Sequence, residues 1–373
     1  MDLFIFGTLL HLPLLEVVSG DAAVAQKCTP ATRDGHGVDR VAGQVFPMMS
    51  AQVDAVASGI ILSGLDDEAL MRLDFYEKAF GYDRVAFTVT DQTGAQRDVT
   101  AYMPEEGRWE PAKPWDFGGW AAAYGEVTTL TAREAMGLYG EFTPREMGVQ
   151  YPQMMARAAS RQRAMREAAK GDLGRDDVQV IEARKAYSGF FTVQEMDLAF
   201  RRFDGSMSEP VSRSVFVGVD CAIVLPYDPV RDRVMVVEQF RPGAYMRGDP
   251  NPWTVEPIAG RIDPGEGPEE AARREAREEA GVDVRALHTV SAAYPSPGTT
   301  TEHFFVYVGE CDLPDVAAHI GGLEDEAEDI RSHVMEWDEF DQGLSSGRFN
   351  LLPLLVAGHW LARNRERLKA EAA

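Results

Sequence analysis

The segment from Gly260 to Val282 constrains this 373-residue chain more than any other. Asp263-Pro264-Gly265 is a turn signal. Pro268 suits the first turn of a helix, and Glu269 and Glu270 complement the positive end of its dipole. Gly281 suits a left-handed cap that stops it. On the short helix between them, Glu275, Glu278 and Glu279 are spaced by three and four residues and share one face. Carboxylates crowded on one face repel unless a cation neutralises them. Hard oxygen donors at this density suit Mg2+ or Mn2+, which hold phosphate oxygens at the same time. An acidic helix face taken alone is more often simply solvated.

Charge and composition narrow the partners. A net charge of -23 at pH 7 works against nucleic-acid binding, which needs a basic surface. It does not work against a phosphorylated small molecule, because bound metal reverses the local sign. Cys28, Cys221 and Cys311 are scattered and odd in number, so they give neither a disulfide framework nor a CxxC site and fit a reducing, cytoplasmic compartment. The apolar start carries Asp2 and no basic leader, and Gly7, His11 and Pro13 interrupt it. It reads as a buried strand and loop, not a signal peptide. No run approaches the roughly 18 apolar residues of a membrane span, so no membrane partner is expected.

The spacing inside the segment is more specific than its chemistry. Gly260, Glu266 and then Arg274-Glu275-Ala276-Arg277-Glu278-Glu279-Ala280-Gly281-Val282 resemble the Nudix box at its glycines, its arginine and its glutamates, with Ala276 where a larger aliphatic is usual. Within that family, Glu238-Gln239-Phe240-Arg241, Pro295-Ser296-Pro297-Gly298 and the acidic stretch from Gly322 to Arg331 resemble the ADP-ribose pyrophosphatases. The resemblance covers about residues 178 to 373. It implies Glu275, Glu279, Glu328 and the carbonyl of Ala259 as metal ligands, with Glu278 beside them in the catalytic group. It implies that Arg274 holds Glu266 and the loop, that Glu326 deprotonates or orients the water, that Arg241 contacts the substrate phosphate, and that Pro297 shapes the pocket. Glu256, in the strand before the box, is a candidate for binding substrate or metal. Glu302 matches a further acid without a fixed role. Bacterial relatives often carry an arginine shortly before the strand at Ala222; here Val217-Gly218 stands there, with Arg213 out of register. The resemblance further implies a homodimer through the Nudix domain and Mg2+-dependent hydrolysis of ADP-ribose to AMP and ribose 5-phosphate. A hydrolase of another nucleoside diphosphate derivative, such as a sugar nucleotide or NADH, would keep every box residue, and that alternative stays open.

In the first third, Leu3 to Phe6 reads as a strand that runs into Gly7-Thr8-Leu9. Val56 to Leu62 reads as another, and Asp66 to Tyr76 as a helix leading to Glu77. Val85 to Thr90 and Asp98 to Met103 form a hairpin around Asp91 to Gly94. This order resembles the gamma-glutamylcyclotransferase-like (AIG2-like) family over about residues 1 to 115. Phe6-Gly7-Thr8-Leu9 matches its Tyr-Gly-Thr-Leu substrate loop, and Leu73-Asp74-Phe75-Tyr76-Glu77 matches the helix end that carries its acid/base glutamate. Two departures stand out. Phe6 removes a hydroxyl. Lys78, where glycine is common, is expected to pair with Glu77 and lower its pKa, which makes a poorer base. The order of the two domains resembles a bacterial group linked to tellurite resistance.

Residues 118 to 177 read as a helical connector. Its helices are expected at Ala132 to Tyr139 and Met154 to Lys170, with Arg157, Arg161, Arg163 and Arg166 on a solvated basic face. The expected fold class is α/β: a Nudix α/β/α sandwich over 178 to 373, closed by a packing helix from Leu351, preceded by an α+β cyclotransferase-like domain over 1 to 117.

Overall fold

A computed structural model describes residues 2–168, 171–315, 320–321 and 329–372. The chain divides into two compact units, Met1–Ala168 and Ala169–Ala373.

In the first unit, the run Leu3 to Phe6 alternates between two cores, because successive side chains of a strand point to opposite faces. Phe4 and Phe6 join Met49, Ile61, Val89 and Val99 in one, while Leu3 and Ile5 join helix residues such as Leu14, Leu15 and Leu73 in the other. The strands run in the order Pro47–Leu62, Leu3–Ile5, Gln96–Pro104, Tyr82–Asp91, Cys28–Val41 and Pro111–Pro114. Pro47–Leu62 pairs again with Cys28–Val41, which closes the sheet into a barrel-like form. The N-terminal run differs from the strand and loop expected: Leu12–Ser19 is a helix, with Pro13 in its first turn, where a missing N–H costs nothing. The helix leading to Glu77 spans Asp67–Lys78, and the Asp66 carboxylate caps it by accepting the Ala69 N–H at 2.8 Å.

The helices after residue 116 are longer than expected and lie in the first unit's core. Phe117–Met136 and Pro144–Met165 bury Trp120, Met136, Met147, Tyr151 and Met154 there. The Asp116 carboxylate accepts the Gly119 N–H at 3.0 Å and starts the first of these helices. Thr143 and Glu146 form a reciprocal capping box for the second helix. Arg157 is not on a solvated face: it is 6% exposed, and its guanidinium donates to Glu134 at 2.7 Å.

In the second unit the central sheet runs Ala286–Ala293, Phe304–Glu310, Cys221–Asp228, Arg233–Phe240, Ile330–Glu336 and Ile320–Gly321. Trp253–Glu256 pairs with Arg233–Phe240, and Ile258–Arg261 with Cys221–Asp228. Alternation along the strands splits the core into two layers. Ala222, Val224, Met235 and Val237 face the helix Pro268–Ala280, through its buried Ala271, Ala272, Ala276 and Ala280. Ile223, Leu225, Val234 and Val236 face the helices Trp337–Ser346 and Leu352–Ala372, through Phe340, Leu354 and Leu361. Helices on both faces of a mixed sheet make the sandwich expected. Ala276 is fully buried, and alanine at this position lets the helix lie close to the strands. A separate three-stranded sheet, Val178–Ser188, Thr192–Phe200 and Val211–Val217, has its first strand exposed along nearly its whole length. Among the described residues no helix is long and apolar enough to cross a membrane.

Candidate active site

The second unit's site begins with how one helix is fixed at both ends. The Gly267 N–H donates to Glu270 at 2.8 Å, and Gly281 closes the helix at φ 64° while Val282 N–H reaches the Ala276 carbonyl at 3.0 Å. The helix presents Arg274 to four acceptors. Its guanidinium donates to both oxygens of Glu266 at 3.0 Å, to Glu275 at 2.7 Å, to Glu278 at 3.0 Å and to the Arg261 carbonyl at 2.9 Å. The bidentate grip on Glu266 and the bond to Arg261 tie the loop to the helix. Burial works against the charge of Arg274, but Glu266, Glu275 and Glu278 outweigh it and hold the guanidinium firmly charged. Glu279, on the same helix, is 3% exposed.

Glycine at position 260 has a steric reason. A Cβ there would coincide with the Glu275 carboxylate, which lies directly on the backbone of the strand Ile258–Arg261. Ala259, on that strand, pairs with Ile223. Glu275, Glu278 and Glu279 bring carboxylates to one helix, and such hard oxygen donors are the chemistry Mg2+ or Mn2+ takes. Among the described residues no three His, Cys, Asp or Glu side chains converge into a finished cage, and the Arg274 guanidinium lies against two of these carboxylates. Glu326 and Glu328 lie outside the described residues.

Arg241 follows the strand Arg233–Phe240 and meets Glu256 on the neighbouring strand. Its Nε and Nη2 donate to the two Glu256 oxygens at 2.8 and 2.6 Å. The fork expected to take a substrate phosphate is thus engaged by a protein carboxylate, and Arg241 keeps 41% of its side chain exposed. Glu256 is buried, and Thr254 also donates to it, so both oxygens are held within the protein. Pro297 is exposed in a turn between Ala286–Ala293 and Phe304–Glu310. That turn is joined to the strand Val211–Val217 by Phe216 N–H to the Thr299 carbonyl at 2.9 Å and Thr301 N–H to the Phe216 carbonyl at 3.0 Å. Glu302 lies over Gly218, where a Cβ would meet its side chain, which accounts for glycine at that place. The Cys221 thiol is pushed up to about 12 by burial, with Glu302 the next cause and Asp220 and Glu275 adding to it. Glu302 and Glu275 therefore share one neighbourhood around Cys221, a grouping that sequence reading missed because the two acids lie on separate elements.

The first unit holds a cavity lined by Gly7, Thr8 and Leu9 together with Glu77, so all four residues singled out there come together. The expectation for Glu77 fails in sign. Lys78 turns to Asp74 at 3.7 Å and Asp83 at 3.6 Å, not to Glu77. Burial then dominates and pushes the Glu77 carboxyl up to about 8. Tyr76, Tyr82, Tyr102, Trp120 and Tyr151 line the same cavity. Their scatter over more than seventy positions left no local signal.

Residues 219–355 match the NUDIX domain family, and residues 3–122 match the family Gamma-glutamyl cyclotransferase, AIG2-like. The chain is 40% identical over 200 residues to ADP-ribose pyrophosphatase of Escherichia coli (strain K12), covering 54% of this chain and 95% of that protein. It is 33% identical over 195 residues to ADP-ribose pyrophosphatase of Haemophilus influenzae, covering 52% and 89%. It is 32% identical over 150 residues to GDP-mannose pyrophosphatase of Cronobacter sakazakii, covering 40% and 78%. With the box residues gathered around Arg274 and relatives matched over nearly their whole length, the chain belongs to the Nudix family as a pyrophosphatase related to the ADP-ribose pyrophosphatases, with an AIG2-like domain ahead of the Nudix domain.

Proposed function

We propose that the second unit hydrolyses the diphosphate of ADP-ribose to AMP and ribose 5-phosphate, with Mg2+ or Mn2+ as cofactor. The observation that carries this reading is the gathering of Glu266, Glu275 and Glu278 by Arg274 on one capped helix, in a chain 40% identical to proteins of that name. Glu275, Glu279 and Glu278, with the Ala259 carbonyl and Glu328, would hold the cation. A divalent ion there supplies charge neutralisation and an acidified water. The protein's own residues do the rest. Arg274 fixes the loop through Glu266 and Arg261. Glu256 sets the direction of Arg241, which steadies a substrate phosphate with its exposed face. Glu326 takes the proton of the attacking water. Pro297 shapes the pocket. The test is AMP release from ADP-ribose, NADH, GDP-mannose and dinucleoside polyphosphates with Mg2+. ADP-ribose is expected to have the highest kcat/KM, and a preference of tenfold or more for another substrate overturns the assignment.

The same unit is proposed to act as a homodimer. In support, Val180, Ile181, Tyr187, Phe190 and Phe191 stand exposed on and beside the strand Val178–Ser188, an apolar edge that a second copy would cover.

A second activity is proposed for the first unit, on gamma-glutamyl compounds, with Glu77 as acid/base beside Gly7, Thr8 and Leu9. The cavity that these residues share supports it. Release of 5-oxoproline that survives Glu77→Gln would overturn the role of Glu77.

A further inference from the structure

One wall of the first unit's cavity comes from residues that the AIG2-like match over 3–122 does not reach. Thr128, Tyr151 and Met155 line it from the helices Phe117–Met136 and Pro144–Met165. Met147 and Met154, on the second of these helices, sit in the unit's core, which fixes the wall in place.

Thr128 differs from the threonines beside it. A threonine inside a helix can donate its hydroxyl to the carbonyl four residues back. Thr129 does so to Gly125 and Thr131 to Val127, each at 2.7 Å. Thr128 is 5% exposed, and its Oγ1 has no partner among the described residues. The indole Nε1 of Trp120, which lines the same cavity and is equally buried, has none there either. A polar group buried without a bond costs stability, and a ligand that brings the missing bond recovers it. The tyrosine hydroxyls of the lining are already engaged. Tyr82 donates to the Pro47 carbonyl at 3.0 Å, Tyr102 donates to Asp74 at 2.8 Å, and Tyr76 and Tyr151 bond to each other. No Lys, Arg or His is among the described lining residues, so a carboxylate against this wall would lose water without gaining a countercharge. An uncharged oxygen carries no such penalty, and a threonine hydroxyl can donate to it or accept from it.

We propose that Thr128 is a specificity-determining residue of this cavity, and that its hydroxyl holds an uncharged oxygen on the amine-derived part of a gamma-glutamyl compound. The inference rests on the second activity proposed above, in which Gly7, Thr8, Leu9 and Glu77 meet the gamma-glutamyl part that all such compounds share. What varies between them is the group attached to it, and the wall from the two later helices receives that group.

The test uses the gamma-glutamyl amides of 2-aminoethanol, 3-aminopropanol and 4-aminobutanol. Each is compared with the amide that has a methyl group in place of the hydroxyl. The full chain is titrated calorimetrically at pH 7, and 5-oxoproline is assayed in the same samples. Preference is read as a ratio of Kd where nothing is released and of kcat/KM where it is. For at least one chain length the hydroxyl compound should be favoured about tenfold or more. The amide of beta-alanine, a carboxylate analogue of the 3-aminopropanol compound, should be disfavoured against it by a similar factor. Thr128→Val, which keeps the shape and removes the hydroxyl, should bring the preference for hydroxyl over methyl below about twofold. Thr128→Ser, which keeps the hydroxyl, and Thr131→Val, which alters a neighbouring threonine, should retain it. Circular dichroism confirms that each variant is folded. Equal use of hydroxyl and methyl compounds, a preference unchanged in Thr128→Val, or no binding of any compound overturns the inference. A carboxylate favoured as much as the hydroxyl overturns its restriction to uncharged groups. Release of 5-oxoproline without the hydroxyl preference overturns the inference and keeps the second activity. The hydroxyl preference in binding without release supports the inference and removes that activity.

Discussion

Glu77→Gln offers a direct measure of how dry the first unit's cavity is. The Glu77 carboxyl moves from an ordinary 4.5 to about 8 because burial disfavours its charged form. Between those values the folded unit holds a proton that the unfolded chain has released. Stability therefore falls as pH rises through this window. At pH 7 the window spans about 2.5 pH units, and at 1.36 kcal/mol per unit the penalty is about 3 kcal/mol. At pH 5 it is under about 1 kcal/mol. Glutamine has the same shape and no proton to lose, so Glu77→Gln should stabilise the first unit by about 3 kcal/mol at pH 7 and by little at pH 5. Two units with separate cores make a single unfolding midpoint ambiguous. The assay is hydrogen exchange by mass spectrometry across a urea series, read on peptides from Tyr82–Asp91 and Gln96–Pro104, with peptides from Cys221–Asp228 and Arg233–Phe240 as internal control. Equal stability of variant and wild type at pH 7 would refute the reasoning, because Glu77 would then be ionised in the folded unit and the cavity wet. A gain of the same size at both pH values would trace the effect to packing and not to the proton.

Other expectations are sharp enough to check singly. Gly260→Ala places a Cβ on the Glu275 carboxylate, so diphosphate hydrolysis should fall about 100-fold, with circular dichroism unchanged. Glu256→Gln removes the charge that directs Arg241, and steady-state kinetics should show KM rising roughly tenfold with kcat changed less. Although burial opposes its charge, Asp232 is held down to about 2 by Arg365, Tyr227 and Lys369. Its stabilisation is present above the ordinary carboxylate pKa and is lost as pH falls toward 2. Asp232→Asn should therefore cost the second unit about 2 kcal/mol at pH 7 in urea titrations and almost nothing near pH 2.

The box was legible because everything it needs is contiguous. A turn, a proline in the first helical turn, a glycine cap and a three-and-four spacing of acids are set by local torsions and helix period, and the helix Pro268–Ala280 forms where they place it. The grip of Arg274 on Glu266, Glu275 and Glu278 also spans at most eight residues. The alternation in Leu3 to Phe6 likewise carries the two cores of the first unit.

Pairings across elements were another matter. Arg241 and Glu256 meet only because Arg233–Phe240 and Trp253–Glu256 lie side by side in the sheet, and Glu302 comes to Gly218 only through the docking of the Thr299 to Thr301 turn. The helices read as a connector became core because their apolar residues found partners in the barrel unit, which no local window contains. Glu77 shows the limit most plainly. Its neighbour in sequence suggested a lowered pKa, yet the helix carries Lys78 toward Asp74, one turn back, and Asp83. The sequence by itself determined which acids share a helix face and where that helix starts and stops. Tertiary structure decided which charges meet and which lose water, because desolvation belongs to the assembled surroundings of a residue and not to its neighbours along the chain.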